Sequence, residues 1–217
     1  MLAETKERIR PQRILFVDFN GVISYDPFWA SLRNPQHRLH QYFELIEQLF
    51  FKGENKIQGF IDEWMLGRYT SEDVHRILAD RIGAPYEELL AVFFEDAKKL
   101  DISKRILEGV SALKKDWYCI LRTDNMDTFH RFTLPASPHL SEVFDEVHNS
   151  YLLGLLKKTN NGIYFVDTVA GFGVNFGQCV LIDDSNSTCK LFQSLGGIAY
   201  CTQNEDEVLA ALKKLKR

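Results

Sequence analysis

Four short stretches of this chain carry side chains whose type and spacing could do chemistry. The first is Asp18-Phe19-Asn20-Gly21, in which a carboxylate directly follows the apolar run Ile14-Leu15-Phe16-Val17. A carboxylate at the carboxyl end of a buried strand stands where open α/β sheets place their ligands. The glycine allows a sharp turn and a close backbone approach. The second stretch, Leu121-Arg122-Thr123-Asp124-Asn125, ends another apolar run in a hydroxyl with backbone amides beyond it. The third, Leu181-Ile182-Asp183-Asp184-Ser185, sets two carboxylates side by side, and their repulsion calls for a cation. Between these two, Gly154-Leu155-Leu156-Lys157-Lys158 returns a lysine toward the same edge. Carboxylates, a hydroxyl and an ammonium group gathered at one rim could bind a divalent cation and an anion together.

Strands and helices must bring these groups to one place. Within residues 13–19 the apolar run Ile14-Leu15-Phe16-Val17 is continuous and without alternation, the pattern of a parallel strand covered on both faces. Similar runs predict strands at Tyr118–Thr123, about Val143–His148, Cys179–Asp183 and Gly197–Cys201. Helical stripes separate the later ones: Ile106, Leu107, Val110 and Leu113 in one helix, Val208, Leu212 and Leu215 in the closing one. Alternation of this kind predicts an α/β fold, a Rossmann-like doubly wound parallel sheet. From about Pro27 to Ile102 the pattern is helical throughout. Leu39, Phe43, Ile46 and Phe50 form one stripe, and Ile57, Phe60, Ile61 and Trp64 another. Thr70-Ser71-Glu72-Asp73 reads as a capping sequence for the helix carrying Val74, Ile77, Leu78 and Ile82, and Pro85 opens a fourth helix. The expected organisation is a core of residues 1–26 and 103–217, interrupted by an antiparallel bundle of four helices over 27–102.

This set of motifs, in this order, resembles the haloacid dehalogenase (HAD) superfamily, dominated by magnesium-dependent phosphatases that work through an aspartyl-phosphate. The resemblance runs from Ile14 to about Cys201 and implies a sheet order of 5-4-1-2-3, with the helical bundle as a cap inserted after the first strand. It implies that Asp18 is the nucleophile, and that Asp18, Asp184 and the backbone carbonyl of Asn20 hold Mg²⁺, with Asp183 orienting that shell. Thr123 would bind a phosphoryl oxygen. Lys157, at the family's common spacing after Gly154, would neutralise charge shared with Asp18; its neighbour Lys158 is the rival, favoured by the downstream spacing to Asp183. The sequence departs from the family at Asn20, where the phosphatases carry a second Asp that protonates the leaving group and then activates water. An amide cannot exchange a proton at neutral pH, so Asn20 as a catalytic residue is the point of tension. The lysine motif also lacks its usual proline, and Thr188 stands where asparagine is common. The implied function is a phosphatase of a small phosphorylated metabolite. A phosphate-ligand binder with impaired turnover and other HAD chemistry, such as dehalogenation or phosphonate hydrolysis, are the alternatives.

The remaining features have ordinary structural explanations. Gly171 to Gly177 has a glycine spacing one too long for a dinucleotide loop and precedes a strand, which predicts a helix-to-strand turn. His37 and His40 share a face without a third ligand nearby, and the other histidines are scattered. The 16 phenylalanines are mainly core, with Phe19, Phe28 and Trp29 flanking the site; Trp64, Arg68 and Tyr69 fall in the insert. Asp124 suits a turn cap as well as a ligand role. Four cysteines without a C-x-x-C pair suggest free thiols in a reducing compartment. With 26 Lys and Arg against 30 Asp and Glu, no broad positive field for nucleic acid is expected. No apolar stretch is long enough for a membrane span and no signal core precedes residue 13, so the expectation is a cytoplasmic location, with the oligomeric state open.

Overall fold

The computed structural model describes residues 12–52 and 59–216. Five parallel strands form one sheet in the order β3-β2-β1-β4-β5: β1 (Ile14–Val17), β2 (Tyr118–Thr123), β3 (Glu146–Asn149), β4 (Cys179–Asp183) and β5 (Ile198–Cys201). This is the order implied by the resemblance. All four residues of β1 and all five of β4 are fully buried or nearly so, because helices cover both faces. Val17 pairs with Leu121 on one side and Ile182 on the other, so Asp18 emerges between the ends of β2 and β4. Asp18 N–H still donates to Ile182 O at 2.9 Å, which extends the ladder one residue beyond the strand.

The described residues between β1 and β2 form helices joined by turns. After a 3₁₀ turn at Ala30–Arg33 come α1 (Phe43–Glu47), α2 (Phe60–Met65), α3 (Ser71–Ile82) and α4 (Tyr86–Lys98). The stripe Leu39, Ile46 and Phe50 is buried as its spacing requires, with Phe43 packed beside it. The expected single helix is nevertheless interrupted. A 3₁₀ turn at His40–Tyr42 precedes α1, and a wide π-turn at Gln48–Lys52 follows it. Phe60 and Trp64 of the second stripe are buried, while Ile57 lies outside the described residues. The capping box opens α3: Thr70 Oγ1 accepts from Asp73 N–H at 3.2 Å, and the Asp73 carboxylate accepts from Thr70 N–H at 3.0 Å. Pro85 stands at the N-cap of α4. The insert has its own apolar cluster around Trp29, Trp64, Leu78 and Phe93, joined from the sheet side by Met126.

Two further clusters flank the sheet. One face packs on α5 (Lys104–Ser111) and the closing helix Glu205–Leu215, through Ile106, Val110, Val208 and Leu212. The other packs Phe16 and Leu181 against Tyr164, Phe165 and Phe192 of the helices Ile163–Phe172 and Asn186–Ser194. Gly173 ends the first of these helices and a 3₁₀ turn at Phe176–Gln178 leads into β4, as expected for the glycine-rich stretch. Strand β3 starts three residues later than the sequence suggests. Val143 closes a short helix begun after Pro138, and Phe144 is spent on the core before pairing begins. Cys119, Cys179 and Cys189 are buried and Cys201 is exposed, all as free thiols.

Candidate active site

Beyond β1 the chain folds back at once. Gly21 N–H donates to Ser24 O at 2.8 Å, and both Ile23 and Ser24 N–H reach Phe19 O, closing a tight flap directly after Asp18. Gly21 adopts φ +75°, and a Cβ there would lie 2.4 Å from Asp184 Oδ2. The glycine thus serves twice: it permits the left-handed turn and it leaves room for the Asp184 carboxylate.

Carboxylate oxygens of Asp18, Asp183 and Asp184 lie within 4.8 Å of one another. Into this group comes Lys157, 3% exposed, whose Nζ stands 2.6 Å from Asp18 Oδ2 and 2.6 Å from Asp183 Oδ2. Three carboxylates and one ammonium leave a formal charge of −2, which matches a single divalent cation. Asp18 Oδ1 accepts from Phe19 N–H at 2.7 Å, and Asp183 Oδ1 accepts from Ser185 N–H at 2.8 Å. Asp183 therefore has both oxygens engaged by the chain. The Asp184 carboxylate, exposed at the rim, accepts no hydrogen bond from another described residue. Burial raises the pKa of Asp18, with the neighbouring Asp183 charge adding to it and Lys157 opposing it. Burial by itself would weaken the Lys157 ammonium, but Asp18, Asp183 and Asp124 more than reverse this and hold it charged. Asp184 is likewise raised by burial and by Asp183.

The other predicted residues are placed as follows. Lys158 points away, exposed, with Nζ 3.2 Å from Ser187 Oγ. Asn20 Oδ1 accepts from Asn125 Nδ2 at 2.7 Å. Thr123 is fully buried, and its hydroxyl has no hydrogen-bond partner among the described residues. Strand alternation sends it to the side of Cys119 and Leu121, while Arg122 takes the Asp18 side. Asp124 is neither a bare turn cap nor a member of the carboxylate group. It accepts the Lys157 N–H at 3.0 and 3.1 Å and pairs with Arg122 at 2.9 Å. Phe19 is core, packed edge-on against Phe129 at 4.9 Å, rather than a wall of the site.

Phe28 and Trp29, with Phe93 and Asp96 of α4, meet Asn20 and Asn125 around a cavity of about 20 Å³, which holds roughly one water. A second set of residues, not evident from the sequence, joins the insert to the core. Asp127 accepts from Trp64 Nε1 at 3.1 Å, from the Ser71 hydroxyl and from Arg131 Nη1 at 2.6 Å; Arg131 in turn holds both oxygens of Glu72. Only their helical spacing of four residues hinted that Asp127 and Arg131 could act together.

No protein-family model matches the chain, and no curated protein matches it by sequence. Solved structures do. A predicted HAD-like family hydrolase from Porphyromonas gingivalis superposes with a TM-score of 0.70 at 20% identity, covering 94% of this chain and 98% of its own. A HAD family enzyme from Bacteroides thetaiotaomicron, solved as an alanine mutant with magnesium and inorganic phosphate, gives a TM-score of 0.71 at 18% identity over 89% of this chain and 96% of its own. An L-2-haloacid dehalogenase gives 0.63 at 16% identity over 94% and 99%. By sheet order, by the helical insert after β1 and by these superpositions, the chain has the fold of the HAD-like hydrolases.

Proposed function

We propose that the protein is a Mg²⁺-dependent hydrolase that removes phosphate from a small phosphorylated metabolite by way of an aspartyl-phosphate on Asp18. The observation that carries this reading is the buried Asp18–Lys157–Asp183 group with Asp184 at its rim. The ligand atoms its three carboxylates offer are oxygens, as a hard divalent ion requires. Gly21 keeps the Asp184 side open where any Cβ would fill it. Asp18, Asp184 and the Asn20 carbonyl are the residues we assign to the ion, with Asp183 supporting them. Bound there, Mg²⁺ would supply charge neutralisation for the phosphoryl oxygens.

The chain's own residues do the rest. The Asp18 carboxylate attacks phosphorus, and the ester oxygen leaves with the bonding pair. Lys157 neutralises charge building on the phosphoryl group while holding Asp18 in place. Thr123 is kept as phosphoryl-oxygen donor on the family resemblance alone: its buried hydroxyl has no partner among the described residues, but it lies on the face of β2 away from Asp18 and reaches a phosphoryl group only if the strand end turns. Asn20 moves no proton, so a leaving oxygen departs unprotonated or takes its proton from water, and hydrolysis of the acyl phosphate proceeds without a positioned base. Residues 27–102 form the cap. Phe28, Trp29 and Phe93 of this cap line a cavity of about one water beside Asn20, and closure of the cap over a bound substrate would exclude water from the reaction.

A second reading has its own observation. The Asn20 amide oxygen is taken by Asn125 Nδ2, an arrangement suited to a site that binds phosphate and turns over little, and dehalogenases are among the structures the fold matches. Phosphate release from a panel of sugar, alkyl and aryl phosphates, with and without Mg²⁺, beside halide release from a 2-haloacid, separates the readings. Magnesium-dependent phosphate release is expected. Halide release without metal would replace the proposal by dehalogenation, and stabilisation by phosphate without turnover would replace it by binding.

A further inference from the structure

An arginine inside a parallel strand is costly to bury unless each nitrogen finds an acceptor. Arg122 lies one residue before the end of β2 and is 0% exposed. Its guanidinium packs over the Tyr164 ring, 4.4 Å from the centroid. Nη1 donates to Thr123 O at 2.6 Å and stands 2.9 Å from Asp124 Oδ1; Nη2 donates to Leu155 O at 2.7 Å; Nε has no partner among the described residues. The two Nη atoms therefore carry all of its hydrogen bonds, and two of the three acceptors govern one short loop. Leu155 is held directly. Lys157 is held through Asp124, whose two oxygens both take the Lys157 N–H.

We infer that Arg122 is the positioning residue for Lys157, fixing the Leu155–Lys157 loop at two points so that the ammonium reaches Asp18 and Asp183. The inference rests on the proposed reading only in what Lys157 does for a phosphoryl group. Planarity is what the task needs. One rigid fork ties the end of β2 to a loop that has no strand partner of its own, and a lysine would present a point charge without that span. Lys157 Nζ makes both of its contacts at 2.6 Å, so a loop displaced by roughly 1 Å would lose one of them, a misplacement that can cost about 10²-fold in rate.

The test compares wild type, Arg122→Lys, Asp124→Asn, Lys157→Met and the double variant Arg122→Lys/Lys157→Met. The readouts are hydrogen exchange over residues 154–158, affinity for inorganic phosphate in Mg²⁺, and melting temperature. Arg122→Lys and Asp124→Asn should speed exchange over 154–158, and Arg122→Lys should weaken phosphate binding by about 10- to 100-fold. In the Lys157→Met background, Arg122→Lys should change phosphate affinity by less than about twofold, because both substitutions act through one ammonium group. An equal loss in both backgrounds would make Arg122 a general core residue and overturn the inference, as would unchanged exchange over 154–158. If Arg122→Lys does not fold, Asp124→Asn decides the matter, since it leaves both backbone contacts of Arg122 in place. Should wild type neither bind nor release phosphate, the functional reading fails, while the exchange data still decide whether Arg122 holds the loop.

Discussion

Removing the ammonium from the buried group should be the most informative perturbation of this protein. Lys157→Met keeps the stem and deletes the charge, taking the cluster from −2 to −3 with Asp18 and Asp183 still buried. Removing one partner of a buried ion pair costs about 3–5 kcal/mol. The cheapest response sets a ceiling: one further carboxyl takes up a proton. For a carboxyl with an ordinary pKa of 3.8, that costs about 4 kcal/mol at pH 7 and about 1.5 kcal/mol at pH 5. The variant should therefore lose about 4 kcal/mol at pH 7, a fall in Tm of roughly 8–16 °C for a chain of this size. The deficit should shrink as the pH is lowered to 5. It should also shrink on adding Mg²⁺ at pH 7, because a divalent ion bound to the folded state replaces the missing charge. Thermal melts at both pH values, with chelator and with millimolar Mg²⁺, measure this directly. A melting temperature unchanged at pH 7 in chelator, or a deficit that grows on acidification, would show that Lys157 does not compensate the carboxylates, and the electrostatic argument would fall with it.

Other outcomes follow from single residues. Asn20→Asp keeps the acceptor that Asn125 uses and adds a group able to move a proton. It should raise steady-state hydrolysis of an alkyl phosphate by about 10²–10⁴-fold and of an aryl phosphate far less; an equal or lower rate on both would show that no acid is missing. Gly21→Ala forces a Cβ into the Asp184 carboxylate at a φ of +75°. Calorimetric titration should show Mg²⁺ affinity falling at least tenfold, by loss of one charged ligand, and unchanged affinity would remove Asp184 from the metal site. His75 is fully buried in the insert. Its Nδ1 donates to Ser71 O at 2.7 Å and its Nε2 accepts from Trp29 Nε1 at 3.1 Å, an arrangement only the neutral ring can make. Burial accordingly lowers its pKa from 6.5 to about 4. A depressed folded-state pKa on a base leaves stability intact above 6.5 and removes it as the pH falls toward 4, by about 3 kcal/mol in all. His75→Gln should abolish that share of the acid sensitivity in urea titrations, and an undiminished slope would place the acid sensitivity elsewhere.

Much of this architecture is legible in the sequence because its physics is local. A doubly covered strand must be apolar on both faces, so β1 and β4 announce themselves as unbroken runs, and the carboxylates that end them stand out against that background. Capping is equally local, and Thr70 with Asp73 marks the start of α3 to the residue. What depends on meetings across the chain is not written in any window. Spacing could not choose between Lys157 and Lys158, because both fit; only the path of the loop after Gly154 turns one to Asp18 and Asp183 and the other to Ser187. The late start of β3 was hidden for a similar reason: Val143 and Phe144 are apolar enough for a strand but are used to cover the core. Arg122 gave no sign of its place, since nothing in its own stretch shows which acceptors it meets. Its three acceptors lie on its own strand end and on a loop 33 residues later. The hold of Asp127 and Arg131 on Trp64, Ser71 and Glu72 likewise exists only once the insert is folded against the sheet. The chemistry-bearing residue types are thus a property of the sequence. Which of them meet, at what distance and in what charge state, is decided by the tertiary structure, because a buried charge takes its pKa and its partners from neighbours that are distant along the chain.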